Sequence, residues 1–72
     1  MRISERKFCS YVDVQASGIV DMRNIDEVVE KAIEMNEISL TKNEVKYIQR
    51  HYLELVKLFG IGGWNSEVIS LI

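Results

Sequence analysis

Between Thr41 and Gly60 apolar residues recur at intervals of three and four: Val45, Ile48, Tyr52, Leu55 or Val56, and Phe59. This is the period of one buried helical face, and it predicts a helix over 42–59. Its ends carry matching signals. Thr41 and Glu44 stand at the two positions of a capping box, with Leu40 and Val45 placed as its hydrophobic staple. Gly60 can take the left-handed conformation after the last turn, with Ile61 folding back as the apolar contact of the C-terminal cap.

Two other helical patterns precede it. Ser4 is a candidate N-cap for a helix over about 4–17, with Ile3, Phe8, Tyr11, Val12 and Ala16 as its buried stripe and Gly18 as its stop. Val14 falls off that stripe, so the face is broad or partly solvent-exposed. Ile19 and Val20 follow in the connection, and Met22 can fill an irregular gap beneath it. Asn24 and Glu27 again have capping-box spacing, and open a helix over 25–36 with Ile25, Val28, Val29, Ala32, Ile33 and Met35 as its apolar face. Asp26 and Glu27 complement the dipole of its first turn. The pattern breaks at Asn36–Ser39 and restarts at Thr41, which predicts that helices two and three pack as antiparallel neighbours.

After Gly60 the chain changes character. Gly62 and Gly63 form a joint, followed by Trp64 and the apolar run Val68, Ile69, Leu71 and Ile72. This run reads equally as a final helical turn or an extended strand, and an apolar segment of this kind is expected to leave water. The expected architecture is all-α: a single domain over 1–72, a compact three-helix bundle with a short apolar C-terminal tail over 61–72.

Composition narrows the chemistry. Seventy-two residues, 47% hydrophobic and 28% charged with no proline, suit one small helical domain. A domain of that size buries about 60% of the surface its unfolded chain exposes. The lone Cys9 has no internal disulfide partner, and no cysteine–histidine cluster has zinc spacing. It reads as a small core residue rather than a reactive thiol, and a reducing cytoplasm is the expected compartment. The first ten residues hold four charges (Arg2, Glu5, Arg6, Lys7), which is unlike a signal peptide. No run approaches the roughly 20 apolar residues of a membrane span.

Charge is more informative in its distribution than in its total. A net charge of −2 argues against holding nucleic acid by bulk charge. Glu27, Glu30, Glu34 and Glu37 form an acidic stripe on helix two. Without a histidine partner, the stripe reads as a solvated or partner-facing surface rather than an acid–base or metal cluster. Lys42, Lys46 and Arg50 recur at intervals of four along helix three. With helix two ahead of it, this invites a helix-turn-helix reading. Against that stand a turn without its usual glycine, a recognition helix nearly twice the usual length, and an acidic domain.

The remaining features are bland. His51 has no ligand-spaced partner and reads as a surface or boundary residue, and the glycines after Phe59 are not a phosphate loop. The aromatic residues fit a core more simply than a base-stacking platform. Tyr47 is the exception, one position off the Ile48 face, and it joins Trp64 as a candidate interface anchor. No catalytic, cofactor or metal site is expected, and the chain does not read as an enzyme.

The run YVDVQASGIVDM from Tyr11 to Met22 resembles a "VQxSGxxNM" motif of small accessory proteins from bacteriophages and prophages of Gram-positive bacteria. Asp21 stands at the motif's asparagine and Arg23 at a following phenylalanine. LTKNEVKYIQRHY, from Leu40 to Tyr52, resembles the capped second half of the same proteins, so the likeness covers residues 8–55. The resemblance implies a compact accessory protein in the cytoplasm of the bacterial host, and it carries no active site. The expected function is a binding module that inhibits or modulates a host defence or housekeeping protein, in the style of an anti-CRISPR. Its candidate contacts are Tyr47, Trp64, Val68, Ile69, Leu71, Ile72 and the acidic stripe. The alternative is a small DNA-binding regulator using Lys42, Lys46 and Arg50. A homodimer assembled through the tail is expected; the competing arrangement folds the tail over the seam between helices one and three, with Trp64 as its lid.

Overall fold

A computed structural model describes residues 2–59. All the regular structure in this part is helical: α1 (Glu5–Ser17), α2 (Ile25–Asn36), α3 (Lys42–Arg50) and α4 (Tyr52–Phe59). The expected cap at Gly60 and Ile61, the glycine joint, Trp64 and the apolar run Val68 to Ile72 lie outside the described residues.

Helix α1 begins where the Ser4 hydroxyl accepts from the Lys7 N–H at 3.2 Å. It ends at Gly18, whose φ of 66° is the left-handed conformation that costs glycine little. Its buried face is wider than expected. Phe8, Tyr11 and Val12 are joined in the interior by Val14, Ser10 and Gln15, whereas Ala16 is exposed. The reason is that α1 is enclosed from several sides. Asn36 at the end of α2 donates to the Ser10 hydroxyl at 3.1 Å. Lys7 pairs with Glu44 of α3. The Phe8 ring meets Tyr52 and Phe59 of α4 at centroid distances of 5.3 and 5.6 Å. A strip through Glu5, Arg6, Asp13 and Ala16 is left for water. Cys9 borders that strip and is half-buried, not a core residue.

The N-terminus of α2 is capped once, not twice. The Asn24 side chain accepts from the Glu27 N–H at 3.5 Å, but the Glu27 carboxylate turns to the Asp21 N–H at 3.3 Å. The Asn24 N–H is already satisfied by the Asp21 carbonyl at 2.9 Å, so the second half of the box has no donor to serve. Val28 and Ala32 are the fully buried residues of α2, with Ile25 and Val29 partly buried. Ile33 and Met35, expected on the apolar face, are exposed. A single buried seam on α2 has no room for the flanking positions.

The chain then leaves α2 through Glu37, a non-glycine residue at φ 55°. Lys42 Nζ reaches Asp26 in the first turn of α2 at 2.8 Å. Gln49 Nε2, near the other end of α3, donates to the Met22 carbonyl at 3.1 Å. Both contacts fall at the N-terminal end of α2, so α3 crosses there and does not run back along α2 as an antiparallel neighbour.

The capping box at Thr41 is complete. Thr41 Oγ1 accepts from the Glu44 N–H at 3.1 Å, and the Thr41 N–H donates to Glu44 Oε1 at 3.0 Å. Leu40 and Val45, the two staple positions, are both buried in the core. The expected single helix over 42–59 is two helices. His51, at φ −115° and ψ 27°, leaves the helical conformation. Its N–H closes α3 on the Tyr47 carbonyl at 3.0 Å, and its carbonyl opens α4 by accepting from the Leu55 N–H at 2.9 Å. The His51 ring is held between Tyr47, 4.6 Å away, and the Glu54 carboxylate, 3.2 Å from Nδ1. Val45, Ile48, Tyr52 and Leu55 nonetheless keep one buried face across the break.

Candidate functional site

Two surfaces of opposite charge and one apolar groove lie around this core. Glu27, Glu30 and Glu34 on α2, and Glu37 just past its end, are all exposed. Lys31 contacts Glu34 at 3.1 Å, and Glu27 bonds the Asp21 N–H. Glu30 and Glu37 make no ion pair among the described residues. Ile33 lies one helical turn after Glu30 and four residues before the cap residue Glu37, and it is 49% exposed. The acidic stripe therefore has an apolar element that periodicity assigned to the core.

Two local rules are broken at Glu37. A left-handed backbone costs a side-chain-bearing residue about 1–2 kcal/mol. A carboxylate at a helix C-terminus also opposes the dipole. Glycine or asparagine is the usual choice there.

On α3, Lys42, Asn43, Lys46 and Arg50 are exposed and Gln49 is half-buried. The only carboxylate of α3, Glu44, is occupied by the Thr41 cap and by Lys7. The hydrogen bond from Lys42 to Asp26 raises the Lys42 pKa, and their attraction adds to it. Lys46 and Arg50 line a polar groove with Asn43, Tyr47, Gln49 and His51. One expected obstacle to a helix-turn-helix is absent: the break at His51 leaves α3 nine residues long. The connection before it has no glycine, as expected, and Glu37 takes the left-handed conformation there.

The third feature surrounds Tyr47. Tyr47 is half-buried and forms one wall of a groove of about 720 Å³ with Ile3, Leu55, Leu58 and Phe59. Arg2, Lys7 and Glu44 line its polar edge. Leu58, at the lip, is 73% exposed, and Leu53 on the same helix is 58% exposed. Their exposure was detectable in principle. Six of the eight residues of α4 (YLELVKLF) are apolar, more than one buried face accommodates.

Burial, with Glu5 and Asp13 nearby, pushes the Cys9 thiol up, away from the reactive thiolate. No group of three or more His, Cys, Asp or Glu side chains among the described residues is placed to hold a metal ion. No described helix is long and apolar enough to cross a membrane.

No family model matches the chain, and no curated protein or solved structure matches it significantly.

Proposed function

We propose that the chain is a phage-encoded protein-binding module that engages a host protein in the bacterial cytoplasm through the acidic face of α2, inhibiting or modulating it. The observation that carries this reading is the half-exposed Ile33, one helical turn after Glu30 and four residues before Glu37, with neither carboxylate in an ion pair among the described residues. An apolar anchor flanked by like charges suits a partner with a basic rim around a shallow apolar depression. Charge steers the encounter and apolar burial holds it. Glu37 adds support: a residue kept against two local penalties is explained by what its carboxylate does outside the fold. The phage setting draws on the motif between Tyr11 and Met22.

The test is affinity capture from a Gram-positive host lysate with the full chain and with Glu30→Lys/Ile33→Ser. Both positions are exposed, so the variant keeps its fold by circular dichroism. A partner retained by the parent and lost by the variant supports the reading. Equal capture by both sinks it.

Duplex DNA binding through α3 is the second reading. It is favoured by the nine-residue length of α3 and the exposed Lys42, Asn43, Lys46 and Arg50. It expects retention on DNA at low salt that falls steeply as salt rises and is lost in Lys46→Glu/Arg50→Glu.

A further inference from the structure

We propose that α4 is an exchangeable element: the elbow at His51 straightens to join α3 and α4 into one helix, and α4 then packs on α1 of a second copy of the chain. The bend has no local cause. Neither proline nor glycine stands between Thr41 and Phe59, and Val45, Ile48, Tyr52 and Leu55 keep one buried face through it. Yet the backbone ladder jumps from the His51 N–H on the Tyr47 carbonyl to the Leu55 N–H on the His51 carbonyl. The N–H groups of Tyr52, Leu53 and Glu54 are thereby parted from the carbonyls of Ile48, Gln49 and Arg50, which a continuous helix would give them. Local preference therefore favours the straight form.

What holds the bend is packing that a second copy reproduces. The Tyr52 ring lies 5.3 Å from Phe8 and 6.3 Å from Tyr11, and the Phe59 ring lies 5.6 Å from Phe8. A continuous helix over 42–59 would be about 27 Å long. That is the length of the whole fold, whose largest principal extent is 26 Å. Straightening therefore carries Phe59 away from the Phe8 of its own chain. Another copy presents Phe8 and Tyr11 in the same setting, so exchange restores these contacts and keeps the backbone bonds that straightening makes. A connection of one residue, His51, is the kind of short hinge that invites such an exchange.

The exposed apolar surface next to the hinge agrees. Leu53, two residues past His51, is 58% exposed. In the exchanged dimer the two hinges lie side by side about the twofold axis, where one Leu53 covers the other. Helix α2 takes no part in the exchange, so the dimer carries two acidic faces.

The experiment refolds the full chain from urea at micromolar to near-millimolar concentration, follows the monomer–dimer equilibrium by light scattering, and reads amide exchange in both species by NMR. The expected dimer protects the amides of Tyr52, Leu53 and Glu54 about tenfold or more beyond the monomer. His51→Ala and His51→Gly both lack the ring, so they compare backbone preference alone. Alanine favours a helix about fivefold over glycine at each site. A dimer has two hinges, so the alanine variant should dimerise about 25-fold more tightly than the glycine variant. A parent that stays monomeric throughout overturns the proposal. So does a dimer whose amides at 52–54 exchange as in the monomer, or a pair of variants that dimerise with equal affinity. The parent's own measurement decides the matter even where a variant does not fold.

Discussion

Lys7 Nζ lies 2.7 Å from Glu44 Oε2, while the other oxygen of that carboxylate accepts from the Thr41 N–H. One side chain thus closes the cap of α3 and fastens α3 to α1. From the capping box alone, Glu44→Ala is expected to cost less than Thr41→Ala. The ion pair reverses that order. Thr41→Ala is expected to cost about 1 kcal/mol. Glu44→Ala, which removes a partly buried charge-assisted hydrogen bond as well, is expected to cost about 1.5–3 kcal/mol. Urea unfolding of the two variants checks the ranking, and a cycle with Lys7→Ala isolates the pair.

The same carboxylate makes stability depend on acid. Burial raises the Glu44 pKa, but the hydrogen bonds from Lys7 and Thr41 and the Lys7 charge outweigh it, and the net shift is downward from 4.5. Above 4.5 the carboxylate is ionised whether folded or unfolded, and its contribution is fully present. As pH falls below that value the unfolded chain takes up the proton first, so stability is lost. Glu44→Gln should be less stable at neutral pH and show a flatter decline in acid-titrated melting temperature.

At the alkaline end the responsible group is Tyr11. Burial pushes its hydroxyl up to about 12, partly offset by the neighbouring Gln49 amide, with Tyr52 adding a small rise. The hydroxyl is buried without a hydrogen bond of ordinary geometry. Below pH 10 both states are neutral and nothing changes. Between 10 and about 12 the unfolded chain ionises first, so stability falls as pH rises. Tyr11→Phe should remove most of that decline in melting curves, and at neutral pH it should change stability by less than about 1 kcal/mol, because no good hydrogen bond is lost.

Glu37→Gly should stabilise the fold. It relieves a left-handed backbone and removes a negative charge from the α2 C-terminus. After glycine's larger loss of chain entropy the net gain is about 1 kcal/mol. Calorimetry would show the rise in melting temperature. Under the proposed function the same variant should bind the host partner more weakly, a trade that a purely structural Glu37 would not show.

Ile48 and Leu53 test the division of the elbow into inside and outside. Ile48 is fully buried and Leu53 is exposed. Ile48→Ala should cost about 2–5 kcal/mol, whereas Leu53→Ala should stay within about 0.5 kcal/mol. Equal effects in chemical denaturation would mean that the buried face is misassigned.

What the sequence determined by itself is local. Caps at Ser4, Asn24 and Thr41, the stop at Gly18 and the spacing from Val45 to Leu55 depend on groups a few residues apart, and all are found in the fold. The exposed acidic and basic stripes were legible for the same reason, since helical spacing alone sets which side chains share a face. Where those faces meet other helices is a different matter. The burial of Val14 and the exposure of Ile33 depend on how many neighbours enclose α1 and α2, which periodicity does not count. The break at His51 was invisible because the apolar period continues through it, and neither proline nor glycine marks it. The Lys7–Glu44 pair joins residues 37 positions apart, and the crossing of α3 over the start of α2 rests on Lys42 meeting Asp26. Only packing brings such residues together: their approach is set by the summed shape of the apolar faces, not by any property of the residues themselves.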